Sequence, residues 1–207
     1  MEIITDKLGK RFNRNWLFKN VSLKFSSGNS YAITGYNGSG KSTFLKILSG
    51  MIPSSSGRIN YLQNDKAIDP DQFYRYISYL APYQELIEEF TLTEFLNFHF
   101  SFKQITPGIS INEIISRLKL QKSAEKEIQH FSSGMKQRVK LATIFFSNTP
   151  VIFLDEPTMN LDSEGIAWYK SEIENLPSDR LILISSNQKY EYDFCQNIIN
   201  ITDYHLL

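Results

Sequence analysis

The residues best suited to chemistry are Gly35-Tyr36-Asn37-Gly38-Ser39-Gly40-Lys41-Ser42, which fit the pattern G-x-x-x-x-G-K-[ST]. Glycines at these intervals let the backbone curl until successive N–H groups converge on phosphate oxygens, and a helix opening at Lys41 sets a partial positive charge behind them. In such a cradle, formed by Gly35, Asn37, Gly38, Ser39, Gly40, Lys41, Ser42 and Thr43, Lys41 reaches the β- and γ-phosphates and Ser42 ligates Mg²⁺. A second chemical pair, Asp155-Glu156, follows the apolar run Val151-Ile152-Phe153-Leu154. At the carboxyl end of a buried strand, where open α/β sheets bind ligands, Asp155 can hold Mg²⁺ and Glu156 can polarise an attacking water. Taken alone, Asp155-Glu156-Pro157 is also an ordinary strand-ending turn; beside a phosphate loop it reads as chemistry.

These groups need an α/β frame to meet, and the periodicity supplies one. Short strands are expected at Trp16 to Phe25, Ser30 to Thr34, Gly57 to Leu62 and Tyr76 to Leu80, with a helix from Lys41 to Ser49 among them. From about Thr93 to Ser147 apolar residues recur at helical spacing, as in Ile111, Ile114, Ile115 and Leu118, which marks a helical insert. The runs Val151–Leu154 and Leu181–Ile184 then read as strands buried on both faces, with a helix over Ser163–Leu176 between them. Within the insert, Phe131-Ser132-Ser133-Gly134-Met135-Lys136-Gln137-Arg138 is a small-residue loop opening a helix, a second place for an anion.

With these four segments in this order, the sequence resembles the ATP-binding subunit of an ABC transporter: phosphate loop, LSGGQ-type signature at Phe131–Met135, Asp-Glu-Pro strand end, and the Met159-Asn160-Leu161-Asp162 loop. The resemblance covers essentially the whole chain. It implies an α/β fold with a P-loop NTPase (RecA-like) core, an inserted all-helical subdomain and a small N-terminal antiparallel β portion, arranged as one domain with core 1–84 and 148–207 and helical subdomain 85–147. It also implies a head-to-tail dimer with two sandwiched ATP molecules, in which Ser132 and Gly134 contact the partner's nucleotide and Asp162 couples the two sites. Phe12 occupies the place of the aromatic that stacks on adenine, with Trp16 as its rival; either ring also serves as plain core.

Two usual catalytic side chains of that family are absent. Pro82 stands where a Gln meets metal and water, with Gln84 two residues on, and Asn187 stands where a His contacts the γ-phosphate. Asn donates a hydrogen bond but carries no positive charge. Ser133 replaces a Gly and Met135 a Gln. The catalytic set is thus Lys41, Glu156 and Asn187, with hydrolysis slowed at the two altered positions.

Composition removes other classes. Lys plus Arg and Asp plus Glu balance at 22 each over 207 residues, so no broad positive field exists to hold a phosphate backbone, and no nucleic-acid partner is expected. The start of the sequence has no signal-like apolar core, and the stretch Leu141–Leu154 is broken by Ser147, Asn148, Thr149 and Pro150, so no membrane span is expected. Cys195, the one cysteine, forms no internal disulfide, and a reducing compartment follows. His99 and His130 lack partners at metal-ligand spacing, Lys119–Glu127 reads as a solvated charge run, and His205 sits where chain ends fray.

The reading is an Mg²⁺-dependent ATPase, cytoplasmic and peripheral on the inner face of the cell membrane through an integral permease, with a tilt toward exporters. Phe90, Phe95, Phe98, Phe100 and Phe102 offer the permease an aromatic surface, or fill a core. The alternatives are a nucleotide-gated module with weak or no hydrolysis, a soluble non-transport ABC ATPase, and a small P-loop kinase, which would not need the signature.

Overall fold

In the computed structural model, which describes residues 1–205, the chain order is β1 (Glu2–Phe12), β2 (Asn15–Val21), β3 (Lys24–Ser26), β4 (Ser30–Thr34), α1 (Lys41–Leu48), β5 (Ser56–Gln63), β6 (Lys66–Ile68), β7 (Ile77–Leu80), α2 (Leu92–Phe102), α3 (Ile111–Arg117), α4 (Ser133–Phe145), β8 (Val151–Asp155), α5 (Ser163–Glu174), β9 (Leu181–Ser185), α6 (Lys189–Tyr192) and β10 (Asn197–Asn200). The chain divides into two units. The first holds Met1–Tyr79, Pro150–Glu156 and Pro177 onward; the second holds Leu80–Thr149 and Pro157–Leu176.

The first unit carries both sheets. One is antiparallel, in the order β2-β1-β5-β6 with β3 also pairing with β1; the other runs β10-β4-β9-β8-β7, with β10, β4, β9 and β8 parallel. The expected strand over Trp16–Phe25 is in fact two. β2 pairs with the later half of β1 and β3 with Glu2–Ile4, and between them Leu23 N–H donates to Thr5 Oγ1, turning the chain from one pairing to the other. β1 itself, the longest strand, bulges around Lys7, which takes φ +47°. The two uninterrupted apolar runs behave as such runs should: every residue of β8 and β9 is buried. Val151, Phe153, Leu181 and Leu183 face a core shared with Phe18, Phe25, Phe44 and Leu48, while the alternate positions are buried on the other face.

The second unit is helical. Thr91 and Glu94 form a reciprocal capping box that starts α2, Ser110 caps α3 and Ser132 caps α4. α5 belongs with these helices because Trp168 and Tyr169 pack on Phe145 of α4, and Trp168 Nε1 donates to the Arg117 carbonyl. Arg117 is ion-paired with the buried Glu172. Among the described residues no helix is long and apolar enough to cross a membrane.

Candidate functional site

β4 ends at Thr34 and the chain enters the loop 35–40 before α1, so the sheet delivers the glycine-rich turn to its own carboxyl edge. Gly38 (φ +83°) and Gly40 (φ +105°) take left-handed backbone, and at Gly40 a Cβ would lie 2.7 Å from the Leu17 side chain, so only glycine fits there. Gly40 is the N-cap of α1 and supplies no side-chain cap, leaving the N–H groups of the first turn to a ligand.

A cleft of about 350 Å³ opens at this loop, lined by Phe12, Leu17, Asn37, Gly38, Gly40, Lys41, Ser42, Thr43 and Glu156. Lys41 is 5% exposed, and its Nζ donates to the carbonyls of Gly35 (2.9 Å) and Tyr36 (3.2 Å). Burial holds its pKa below the usual lysine value, while Glu156 and Asp155 oppose that shift. Ser39 Oγ is buried without a hydrogen-bond partner.

Asp155 ends β8 fully buried, and its Oδ1 accepts from Ser42 Oγ at 2.8 Å and from Ser185 Oγ at 2.7 Å. Sequence reasoning missed Ser185; its signal was a hydroxyl at the last position of β9, which the register sets opposite Asp155. Tyr79, stacked on Phe153 with its hydroxyl buried and unpartnered, has its pKa raised by burial and then by Asp155. Hydroxyl and carboxylate oxygens are the donors that a hard cation takes, so Ser42 and Asp155 fit Mg²⁺ with the remaining positions left to phosphates and water. Among the described residues no cluster of three or more His, Cys, Asp or Glu gathers for a metal.

Glu156 is half-buried, takes φ +48°, and is pinned by its N–H to the Ser185 carbonyl at 2.9 Å. Asn187 is exposed, and its Nδ2 donates to Asn37 Oδ1 at 2.6 Å, so the end of β9 reaches the phosphate loop. Phe12 lines the cleft, 55% exposed, with Lys10 Nζ 5.3 Å from its ring centre; Trp16 turns instead toward Lys19 and Arg11 and is not part of the lining.

A family model described as ABC transporter matches residues 18–159, more than half of the sequence. The chain belongs to the ABC transporter family, as an ATP-binding domain. Among curated ABC relatives it is 29% identical over 198 residues to the lantibiotic transport ATP-binding protein SrtF of Streptococcus pyogenes, covering 93% of this chain and 82% of that one. It is 27% identical over 204 residues to the cytochrome c biogenesis ATP-binding export protein CcmA of Agrobacterium fabrum, covering 96% and 94%. The solved structure of a putative ABC transporter ATP-binding protein from Pyrococcus furiosus superposes with a TM-score of 0.84 over the whole of both chains at 22% identity, a likeness of fold.

The segment that resembles the ABC signature lies in the second unit. Ser132 Oγ accepts from Met135 N–H at 3.2 Å, and Gly134 sits where a Cβ would come 3.2 Å from the Asn160 carbonyl. Two of the three basic residues of α4 are engaged at home: Lys136 bonds Glu88 at 2.6 Å and Arg138 donates to the Leu118 carbonyl. Buried Gln137, missed in the sequence, donates to the Pro157 carbonyl at 2.7 Å and ties α4 to the segment after β8. Asp162 caps α5 by accepting from Gly165 N–H. Pro82 is half-buried and Gln84 exposed, in a loop of the same unit.

Proposed function

We propose that this chain is the ATP-hydrolysing subunit of a transporter, closing head-to-tail with a second copy and driving a separate integral membrane permease in the export direction. The observation that carries the reading is the convergence of Lys41, the Ser42–Asp155–Ser185 cluster and Glu156 at the mouth of the phosphate loop. Phe12 stacks on the base at the outer end of the cleft, and loop N–H groups with Lys41 hold the phosphates. On binding, Lys41 exchanges the Gly35 and Tyr36 carbonyls for phosphate oxygens, trading neutral acceptors for charged ones. Held by Ser42 and Asp155, Mg²⁺ would neutralise developing charge on the β- and γ-phosphates. Glu156, fixed by its backbone bond to Ser185, orients and deprotonates the attacking water. Asn187 donates toward the γ-phosphate without charge, and Ser132, Gly134 and Asp162 act on the partner copy's nucleotide.

Export follows the printed function of CcmA, and a separate permease is the partner proposed because no helix among the described residues is long and apolar enough to cross a membrane. Its docking surface would be the chained rings Phe90, Phe98 and Phe102, with Phe98 43% and Phe102 76% exposed, while Phe95 is buried as core. The neutral Asn187–Asn37 amide pair favours a second reading, a nucleotide-gated module that closes on ATP and hydrolyses it slowly.

One experiment separates the two: turnover by the purified chain with Mg²⁺ and ATP, alongside co-purification of tagged chain from membranes. Turnover on the order of 1 s⁻¹ or faster, within the ordinary enzyme range, and a co-purifying multi-span protein support the motor. Tight ATP binding with negligible turnover supports the gated module.

A further inference from the structure

The C-terminal segment reaches the phosphate loop, and it does so by strand register. β10 pairs in parallel with β4 so that Asn200 lies opposite Thr34, the last residue before the loop. From there a single helical turn, Ile201–Tyr204, is started by the Asn200 side chain accepting from Thr202 N–H and anchored by the fully buried Ile201. It ends at His205, whose Nε2 lies 3.0 Å from the Ser39 carbonyl and whose Nδ1 lies 3.4 Å from Tyr36 Oη, the two rings meeting edge to face at 5.9 Å. Because a carbonyl only accepts, Nε2 carries the proton and donates to Ser39; in the neutral ring Nδ1 then accepts from the Tyr36 hydroxyl.

We infer that His205 is a positioning residue for nucleotide phosphate, acting through the Ser39–Gly40 peptide. This rests on the reading of loop 35–40 as an ATP phosphate cradle. In a planar trans peptide the carbonyl of Ser39 and the N–H of Gly40 point to opposite sides. Holding the carbonyl toward His205 therefore aims the Gly40 N–H the other way, and Gly40 is among the residues that line the cleft. This peptide needs holding, since Gly40, at φ +105°, has no Cβ to oppose rotation of the bond before it. The neighbouring Ser39 hydroxyl is buried without a partner and does not brace the loop. His205 fixes one phosphate donor in advance of binding, the kind of preorganisation that lowers the ordering cost of a ligand.

The test is titration of the purified full chain with a fluorescent ATP analogue and Mg²⁺, for wild type, His205→Ala, His205→Gln and Tyr36→Phe, with the unfolding midpoint of each without nucleotide. His205→Ala should raise the Kd about tenfold, the worth of one lost hydrogen bond of about 1.4 kcal/mol. Its nucleotide-free midpoint should stay within the error of wild type. His205→Gln, whose amide N–H can donate to Ser39, should recover most of the affinity, and Tyr36→Phe should weaken binding less than His205→Ala. An unchanged Kd in His205→Ala overturns the inference while leaving the cradle standing, as does a Gln variant no better than Ala, which would assign the effect to ring packing. Wild type that binds no nucleotide overturns the cradle and this inference together.

Discussion

Two helix starts in this protein are built from small residues after a loop, and they are finished differently. α4, after Ser132, is closed: the serine hydroxyl takes the Met135 N–H, and Lys136 is answered by Glu88. α1, after Gly40, is open. Its N-cap has no side chain, and among the described helices of more than one turn it alone lacks a side-chain cap, since α2, α3, α4 and α5 are capped by Thr91, Ser110, Ser132 and Asp162. An uncapped start costs about 1 kcal/mol, a sacrifice in stability that makes sense where a phosphate completes the turn. The lesson is that the open start leaves its N–H groups available to a ligand, whereas the closed one satisfies its own.

The strongest way to break that contrast is Lys41→Ala. It should abolish ATP binding or turnover, by more than 10²-fold, while the unfolding midpoint without nucleotide stays near wild type; near-normal kcat and KM would remove α1 from the nucleotide site. Next is Glu156→Gln, expected to cut kcat by on the order of 10² while ATP still binds and traps a dimer visible by light scattering. If the Gln variant turns over like wild type, the base lies elsewhere. Asn187→His sharpens the open end: a donor able to carry charge should raise single-turnover hydrolysis about tenfold. Equal rates for wild type, Asn187→His and Asn187→Ala would show that this position makes no catalytic contact. At the closed end, Ser132→Ala should leave the Kd for nucleotide unchanged in dilute, monomeric chain and lower stability by about 1 kcal/mol, a drop of roughly 2–4 °C in the unfolding midpoint at this size.

The smallest effect concerns His99, held below its ordinary pKa of 6.5 first by burial and only partly restored by the Thr143 backbone. With the folded pKa depressed, the unfolded chain binds more protons between the two values. Stability is therefore full above about pH 6.5 and declines as pH falls through the folded pKa. A midpoint that drops below pH 6.5 in wild type and flattens in His99→Gln would confirm it; an unaltered slope would assign the acid sensitivity to other groups.

Local signals carried most of the parallel sheet and the phosphate site, because residues close in sequence do the work there. The turn 35–42, the acids at 155–156 and the buried runs of β8 and β9 all declare themselves within eight residues. What stayed hidden depends on pairing across the chain. β1 mixes charge and glycine along its length and is held by β2, β3 and β5 rather than by its own alternation. Ser185 matters only because the register puts it beside Asp155. His205, expected at a fraying end, is instead bonded to Ser39 across 166 residues of sequence, and no local pattern announces that. Cys195 shows nothing of its surroundings in the sequence either; burial raises its thiol pKa to about 12, which keeps it protonated.

Glu156 deserves a last consideration as backbone rather than as acid. Most non-glycine residues at positive φ here are Asn or Asp, the types that tolerate it; Glu156, Lys7 and Lys119 are the exceptions. A glutamate in that conformation costs about 1–2 kcal/mol, and Gly in its place would relax the bend after β8. An acid held on a strained corner beside the phosphate loop is what a site that uses the carboxylate itself would require, since its backbone alone favours glycine.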